Sequence, residues 1–137
     1  MPPPRRSVPR LSVLAVSARL PRWAEEACAE YAKRMPRGYG VSRISAKNAK
    51  KLPQGKIVVL DERGKDLTTA QFAGLLGTET VFVIGGADGL DETVKRRADL
   101  LLRLSALTLP HALAQVVLME QLYRAATLLT GHPYHRG

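Results

Sequence analysis

Three stretches of this chain carry residue types in an order that chemistry could use. The first is Gly85-Gly86-Ala87-Asp88-Gly89, directly after the apolar run Thr80 to Ile84. Glycines at the end of a strand invite a nucleotide reading. A dinucleotide fingerprint starting at Gly85 would need glycine at positions 87 and 90, where Ala87 and Leu90 stand, and a phosphate loop would need Gly-Lys-Ser/Thr, whereas no lysine follows Gly89. Both are rejected. What remains is either a tight strand-to-helix turn or a loop of bare backbone against which a flat ligand can lie. The second stretch is Ser105-Ala106-Leu107-Thr108-Leu109, followed by Pro110 and His111. The third is the tail Gly131-His132-Pro133-Tyr134-His135-Arg136-Gly137, with two imidazoles, a phenol and a guanidinium. An aromatic ring beside cations suits stacking on a base and holding a phosphate. A metal is not expected: the chain has 3 histidines, two of them separated by Pro133 and Tyr134, and no Cys/His cluster of zinc type.

These stretches need elements to position them. Leu11 to Val16 reads as a short buried strand, and Pro21 opens a helix to about Met35, with Trp23, Ala27, Tyr31 and Met35 on one face. Val41 to Ser45 is a second candidate strand. Ile57 to Leu60 is a strong buried strand followed by a polar loop, Asp61 to Lys65. Thr68 or Thr69 caps a short helix to about Leu76. Thr80 to Ile84 is a strand, Asp91 caps a helix to about Asp99, whose Lys95-Arg96-Arg97 reads as exposed basic surface, and Leu100 to Leu104 is the last strand. Pro110 then suits the first turn of a long helix ending before Gly131, with Thr108 or Leu109 at its cap. From Ala112 to Met119 only Gln115 is polar, so that helix must be covered on most sides, in part by a second subunit. Strands alternating with helices imply an α/β fold with a mostly parallel five-stranded sheet and helices on both faces. In such sheets ligands sit beyond the carboxyl ends of the strands. Leu60-Asp61, Gly85 to Gly89 and Ser105 to Leu109 all occupy such ends.

Composition bounds the answer. The chain has 137 residues, enough for one core, with 45% hydrophobic and 24% charged residues. Residues 1–10 hold prolines and arginines without periodicity and read as a disordered basic extension ahead of one domain over 11–137. No apolar run is long enough to span a bilayer, and no secretory signal is legible. Cys28 is the only cysteine, which fits a reducing, cytoplasmic setting and a small buried hydrophobe. Lysines and arginines number 21 against 12 acids, a net charge of +9. On so small a domain that predicts attraction to a polyanion, nucleic acid first.

Taken together, Phe82 to Leu90, Leu104 to His111, Glu120-Gln121-Leu122-Tyr123-Arg124-Ala125 and His132 to Arg136 resemble the bacterial large-subunit ribosomal RNA pseudouridine N3-methyltransferases of the SPOUT superfamily. Leu20-Pro21-Arg22-Trp23, Glu30-Tyr31 and Val58-Val59-Leu60-Asp61 match too, so the resemblance runs in order through nearly the whole chain. It implies a carboxyl-terminal trefoil knot, an exception to the rule against threading. It implies S-adenosyl-L-methionine bound at Leu60, Gly85, Leu104, Ser105, Ala106, Leu107, Thr108 and Leu109. It also implies a homodimer packed partly through the last helix, with ribosomal RNA as substrate. The chain departs from the family in the stretch between Met35 and Ile57, which is shorter than usual and lacks room for a helix normally found there, and in its proline-arginine start.

The expected chemistry is in-line methyl transfer to N3 of a pseudouridine. His135 is the expected proton acceptor, with Tyr134 stacking or hydrogen-bonding and Arg136 on phosphate or base oxygens. Glu120 and Arg124, one turn apart, are expected to pair with each other. Two other readings stay open: an RNA-binding or ribosome-binding protein that kept the fold without the cofactor, and a SPOUT methyltransferase acting on another RNA.

Overall fold

The computed structural model describes residues 8–134. Residues 1–7 of the expected extension, and His135 and Arg136, lie outside them. Five strands form one parallel sheet in the order β2-β1-β4-β3-β5: β1 (Leu11–Val16), β2 (Val41–Ala46), β3 (Lys56–Asp66), β4 (Thr80–Gly85) and β5 (Leu100–Arg103). All six residues of β1 and the first five of β4 are buried, as continuous apolar runs require when both faces of a parallel sheet are covered.

The two faces are covered unequally. On one, α1 (Arg22–Arg34), α2 (Thr69–Ala73) and α4 (His111–Leu129) pack over Leu11, Val13, Val58, Phe82 and Leu102. Cys28 of α1 is wholly buried there, and burial pushes its thiol pKa up, so it behaves as the expected apolar filler. On the other face Leu14, Val16, Val59, Val81 and Val83 are covered by Val94 of α3 (Glu92–Arg96) and by Ala49 and Leu52 of the β2–β3 connection. That connection crosses two strands without a helix.

Several local expectations are corrected. The inward stripe of α1 runs through Ala24 and Cys28, and Trp23 is 55% exposed. Pro21 and Pro110 are the caps of α1 and α4, not their first helical residues; Ala114 N–H donates to Pro110 O, so Thr108 and Leu109 lie outside the helix. The strand β3 does not stop at Leu60. It continues through the expected loop to Asp66, with a register shift against β5 between Leu60 and Lys65. The third helix ends at Arg96, short of Asp99, whose carboxylate instead accepts from Ile57 N–H. Thr68 caps α2 in a full capping box with Gln71, and Gly131, at φ 75°, ends α4.

Eight residues of α4 are buried, Ala112, Leu118, Met119, Leu122, Ala125 and Ala126 among them, but Leu113 is 38% exposed and Val116 and Val117 only half-buried. The single chain thus leaves an apolar flank of this helix partly open. No helix among the described residues is long and apolar enough to cross a membrane.

Candidate active site

The middle of β3 and the carboxyl ends of β4 and β5 converge on a cavity of about 600 Å³, a size typical of small-molecule sites. Its floor is Leu60 and Asp61 of β3, at the start of the register shift, its back the glycine loop 85–89, and its front wall the segment 104–110 with His111 and Ala114 from the first turn of α4. Seven of the eight residues expected at the cofactor line it: Leu60, Gly85, Leu104, Ser105, Leu107, Thr108 and Leu109. Ala106 does not; it is exposed on the outer side of the same loop.

The glycine loop turns out to be both things the sequence allowed. Gly89 N–H donates to Gly86 O at 3.0 Å, closing a tight turn, and the loop still borders the cavity. The reason for glycine at 86 is the protein's own backbone. A Cβ there would sit 2.4 Å from Ser17 O at the end of β1. On the front wall Leu107 N–H donates to Ser105 Oγ at 2.9 Å, which pins the loop's bend, and Leu107 stands 77% exposed at the mouth.

Sequence reasoning passed over the charged lining. Asp61 was placed at a strand end but given no role, and Lys95 was counted as free surface. In the fold the two meet: Asp61 Oδ2 lies 3.1 Å from Lys95 Nζ, and the Asp61 side chain is only 7% exposed. Asp61 Oδ1 also accepts from Arg63 N–H at 2.9 Å. That backbone bond, and then Lys95, hold the carboxyl below its ordinary range. Arg103, also lining the cavity, is tied to Asp66 by two bonds at 2.6 and 2.5 Å. The signal that could have found Asp61 is its place one residue past a fully apolar strand, where a buried carboxylate needs a partner.

A depressed carboxyl stabilises the fold above its unfolded pKa and loses that contribution as pH falls through its folded value. Asp61→Asn is therefore expected to cost about 1–2 kcal/mol at pH 7. The gap to wild type should close towards pH 3. Urea unfolding of both proteins across that range checks it, and a gap that widens on acidification refutes it.

Tyr134, the last described residue of the tail, sits elsewhere. Tyr134 packs edge-on against Tyr123 with centroids 4.7 Å apart, Arg124 lies 5.0 Å over its ring, and its hydroxyl donates to Glu120 Oε1 at 3.3 Å. Burial, then the Glu120 charge, raises the phenol pKa, so it stays protonated as a donor. Arg124 Nε donates to Glu120 Oε1 at 2.9 Å, the pairing expected for these two residues. Along α4, Glu120 to Arg124 lie roughly 9–15 Å beyond Ala114, at 1.5 Å per residue. Tyr134 therefore does not reach its own chain's cavity.

A family model described as "Predicted SPOUT methyltransferase" matches residues 10–135. The chain is 46% identical over 154 residues to a protein of Laribacter hongkongensis named ribosomal RNA large subunit methyltransferase H, covering 93% of this chain and 99% of that one. It is 47% identical, with the same coverage, to a protein of that name from Paraburkholderia xenovorans. The 154 aligned positions exceed the 137 residues here, so the relatives carry residues that this chain lacks. Among solved structures it resembles the SpoU methyltransferase AviRb from Streptomyces viridochromogenes, in complex with AdoMet. The TM-score is 0.58 at 16% identity, and the match spans 93% of this chain and 63% of that one, a likeness of fold.

Proposed function

The chain belongs to the SPOUT methyltransferase family, and from that premise we propose that it is an S-adenosylmethionine-dependent methyltransferase of large-subunit ribosomal RNA, acting at N3 of a pseudouridine. The observation that carries the reading is the cavity. Its walls of Leu60, Ile84, Leu102, Leu104, Leu107 and Leu109 suit a flat heterocycle. Its charges suit a cation. The chain as a whole is +9, yet Asp61, Glu62 and Asp88 line this cavity; Lys95 is engaged by Asp61 and Arg103 by Asp66, which leaves Glu62 and Asp88 to meet a cation. A sulfonium and an ammonium group match that set. When bound, the cofactor supplies an already activated methyl group.

The protein's own share is position and proton handling. An imide N–H is a poor nucleophile until its proton leaves. We assign the proton acceptor to His135, with Arg136 on phosphate or base oxygens and Tyr134 holding the tail in place. Because Tyr134 is anchored far from its own cavity, the tail that completes a site comes from a second copy. The partly open flank of α4, through Leu113, Val116 and Val117, supports such a homodimer. The backbone crossing at Gly64, whose missing Cβ would lie 2.6 Å from Leu102 C, supports a threaded carboxyl-terminal segment, read as the trefoil knot. The absence of a membrane-crossing helix among the described residues and an RNA substrate suit the cytoplasm.

Calorimetric titration with S-adenosylmethionine is expected to give one saturable site per chain. Ala114→Trp, which fills the cavity from α4, is expected to weaken it at least tenfold. No heat with the wild type, or equal binding by the variant, overturns the assignment.

A further inference from the structure

Six cations among the described residues are engaged by acids. Arg22, Arg34, Arg43, Lys95, Arg103 and Arg124 all pair with carboxylates. One face differs. The β2–β3 connection carries exposed Lys47, Lys50 and Lys51, and α3 and its cap carry exposed Arg96 and Arg97 beside it. Among the described residues none of these five has a carboxylate within ion-pair distance. The acids nearby are committed: Asp91 accepts from Val94 N–H, Asp99 from Ile57 N–H, and Glu92 faces Lys95.

The connection is also held in one shape. Lys47 O accepts from Ser17 Oγ at 2.9 Å, and Ala49 O accepts from Arg97 Nη1 at 2.7 Å. Lys50 N–H donates to Asn48 Oδ1, and Ala49 is 3% exposed beneath the loop. Ser17 accepts a left-handed backbone at φ 50° to make its bond. Buried Ala49 and half-buried Leu52 thus plug the sheet while the lysines point out. A short connection could have crossed this face without three lysines.

We propose that this face, Lys47, Lys50 and Lys51 with Arg96, is a docking surface for the sugar–phosphate backbone of the substrate RNA beside the cavity. The proposal rests on the ribosomal-RNA reading above. Position favours it: Lys47 stands at the carboxyl rim of the sheet, and the residue before Arg96 is Lys95, which lines the cavity. Composition favours RNA over other polyanions. The exposed large hydrophobic residues among those described are Val8, Trp23, Leu107, Leu113, Leu128, Leu129 and Tyr134, and none lies in this loop or in α3. A membrane-surface reader needs an apolar face to insert, and a protein interface needs an apolar or aromatic anchor. Phosphate contacts need neither and carry no sequence information, so they position the strand while the cavity selects the base.

The test is a salt series of binding to a large-subunit ribosomal RNA fragment that the wild type methylates. It compares the wild type, Lys47→Ala/Lys50→Ala/Lys51→Ala, and a control, Lys33→Ala/Arg37→Ala, which removes cations lacking a carboxylate partner from the far end of α1. The triple variant is expected to bind about tenfold to hundredfold more weakly near 100 mM salt, with a log–log salt slope shallower by about 2–3. Its KM for RNA should rise with kcat little changed, and its S-adenosylmethionine titration should be unaltered. Unchanged affinity and slope, or an equal loss per charge in the control, overturns the proposal. So does a triple variant that loses binding to phosphatidylserine vesicles but keeps RNA. A wild type that takes up the cofactor yet shows no RNA affinity even at low salt sinks the ribosomal-RNA reading, and this face with it.

Discussion

Gly64→Ala is expected to abolish the native fold or cost it more than about 4 kcal/mol, the range of the worst single substitutions. The added Cβ would lie 2.6 Å from Leu102 C and 2.7 Å from both Leu101 C and Leu102 N. These are backbone atoms of β5, held in the sheet by β3 on both sides of the register shift. No rotamer change relieves such a contact; one backbone must move off the other. The consequence for function is direct. Leu60, Leu102 and Leu104, on the two segments that cross, all line the cavity. Cofactor binding should therefore disappear with the fold. Gly40→Ala is the control, since nothing stands within 4 Å of its missing Cβ, and it should change stability by less than about 1 kcal/mol. Urea unfolding with a cofactor titration decides it. A Gly64→Ala protein that unfolds like the wild type would mean that β3 does not cross β5 as described.

Removing residues 133–137, or His135→Ala alone, is expected to leave the cofactor titration within about threefold of wild type. Single-turnover methylation should fall about 10²–10⁴-fold, the usual worth of a positioned proton acceptor. The fold should survive, because among the described residues that are removed the packing on the outside of α4 comes from the half-exposed ring of Tyr134. Such a ring pair is worth about 0.5–1.5 kcal/mol. The sharper result concerns mixtures. The truncated chain keeps its cavity and Ala114→Trp keeps its tail, so neither works alone. If the tail serves a second copy's cavity, the reading that the roughly 9–15 Å between Tyr134's anchors and Ala114 favours, refolding the two together restores part of the activity. A mixture that stays inactive while each partner is folded and dimeric refutes the shared site, and an unimpaired truncation refutes the tail's role.

Local patterns alone were enough to give five strands and four α-helices in their order along the chain. Apolar runs such as Leu-Ser-Val-Leu-Ala-Val at 11–16 and Thr-Val-Phe-Val-Ile at 80–84 are too short for helices and read as strands covered on both faces. That was enough to place Leu60, Gly85 and the 104–109 loop at carboxyl ends, hence at one rim. It failed where local pattern and tertiary pairing disagree. Asp61 to Asp66 is polar and reads as a loop, yet it runs as strand because β5 offers hydrogen bonds beyond the register shift. Trp23 fits the apolar period of α1 but falls off the inward stripe, since which face turns inward depends on what packs against it. The Asp61–Lys95 pair joins residues 34 positions apart, and no spacing rule links them. Gly86 borders the cavity, but what demands glycine there is Ser17 at the end of β1, a neighbour known only once the strands are paired. Local chemistry fixes what each segment can become. Charge partners, backbone crossings and the distance between the tail and its cavity arise only when segments far apart in the chain are brought together.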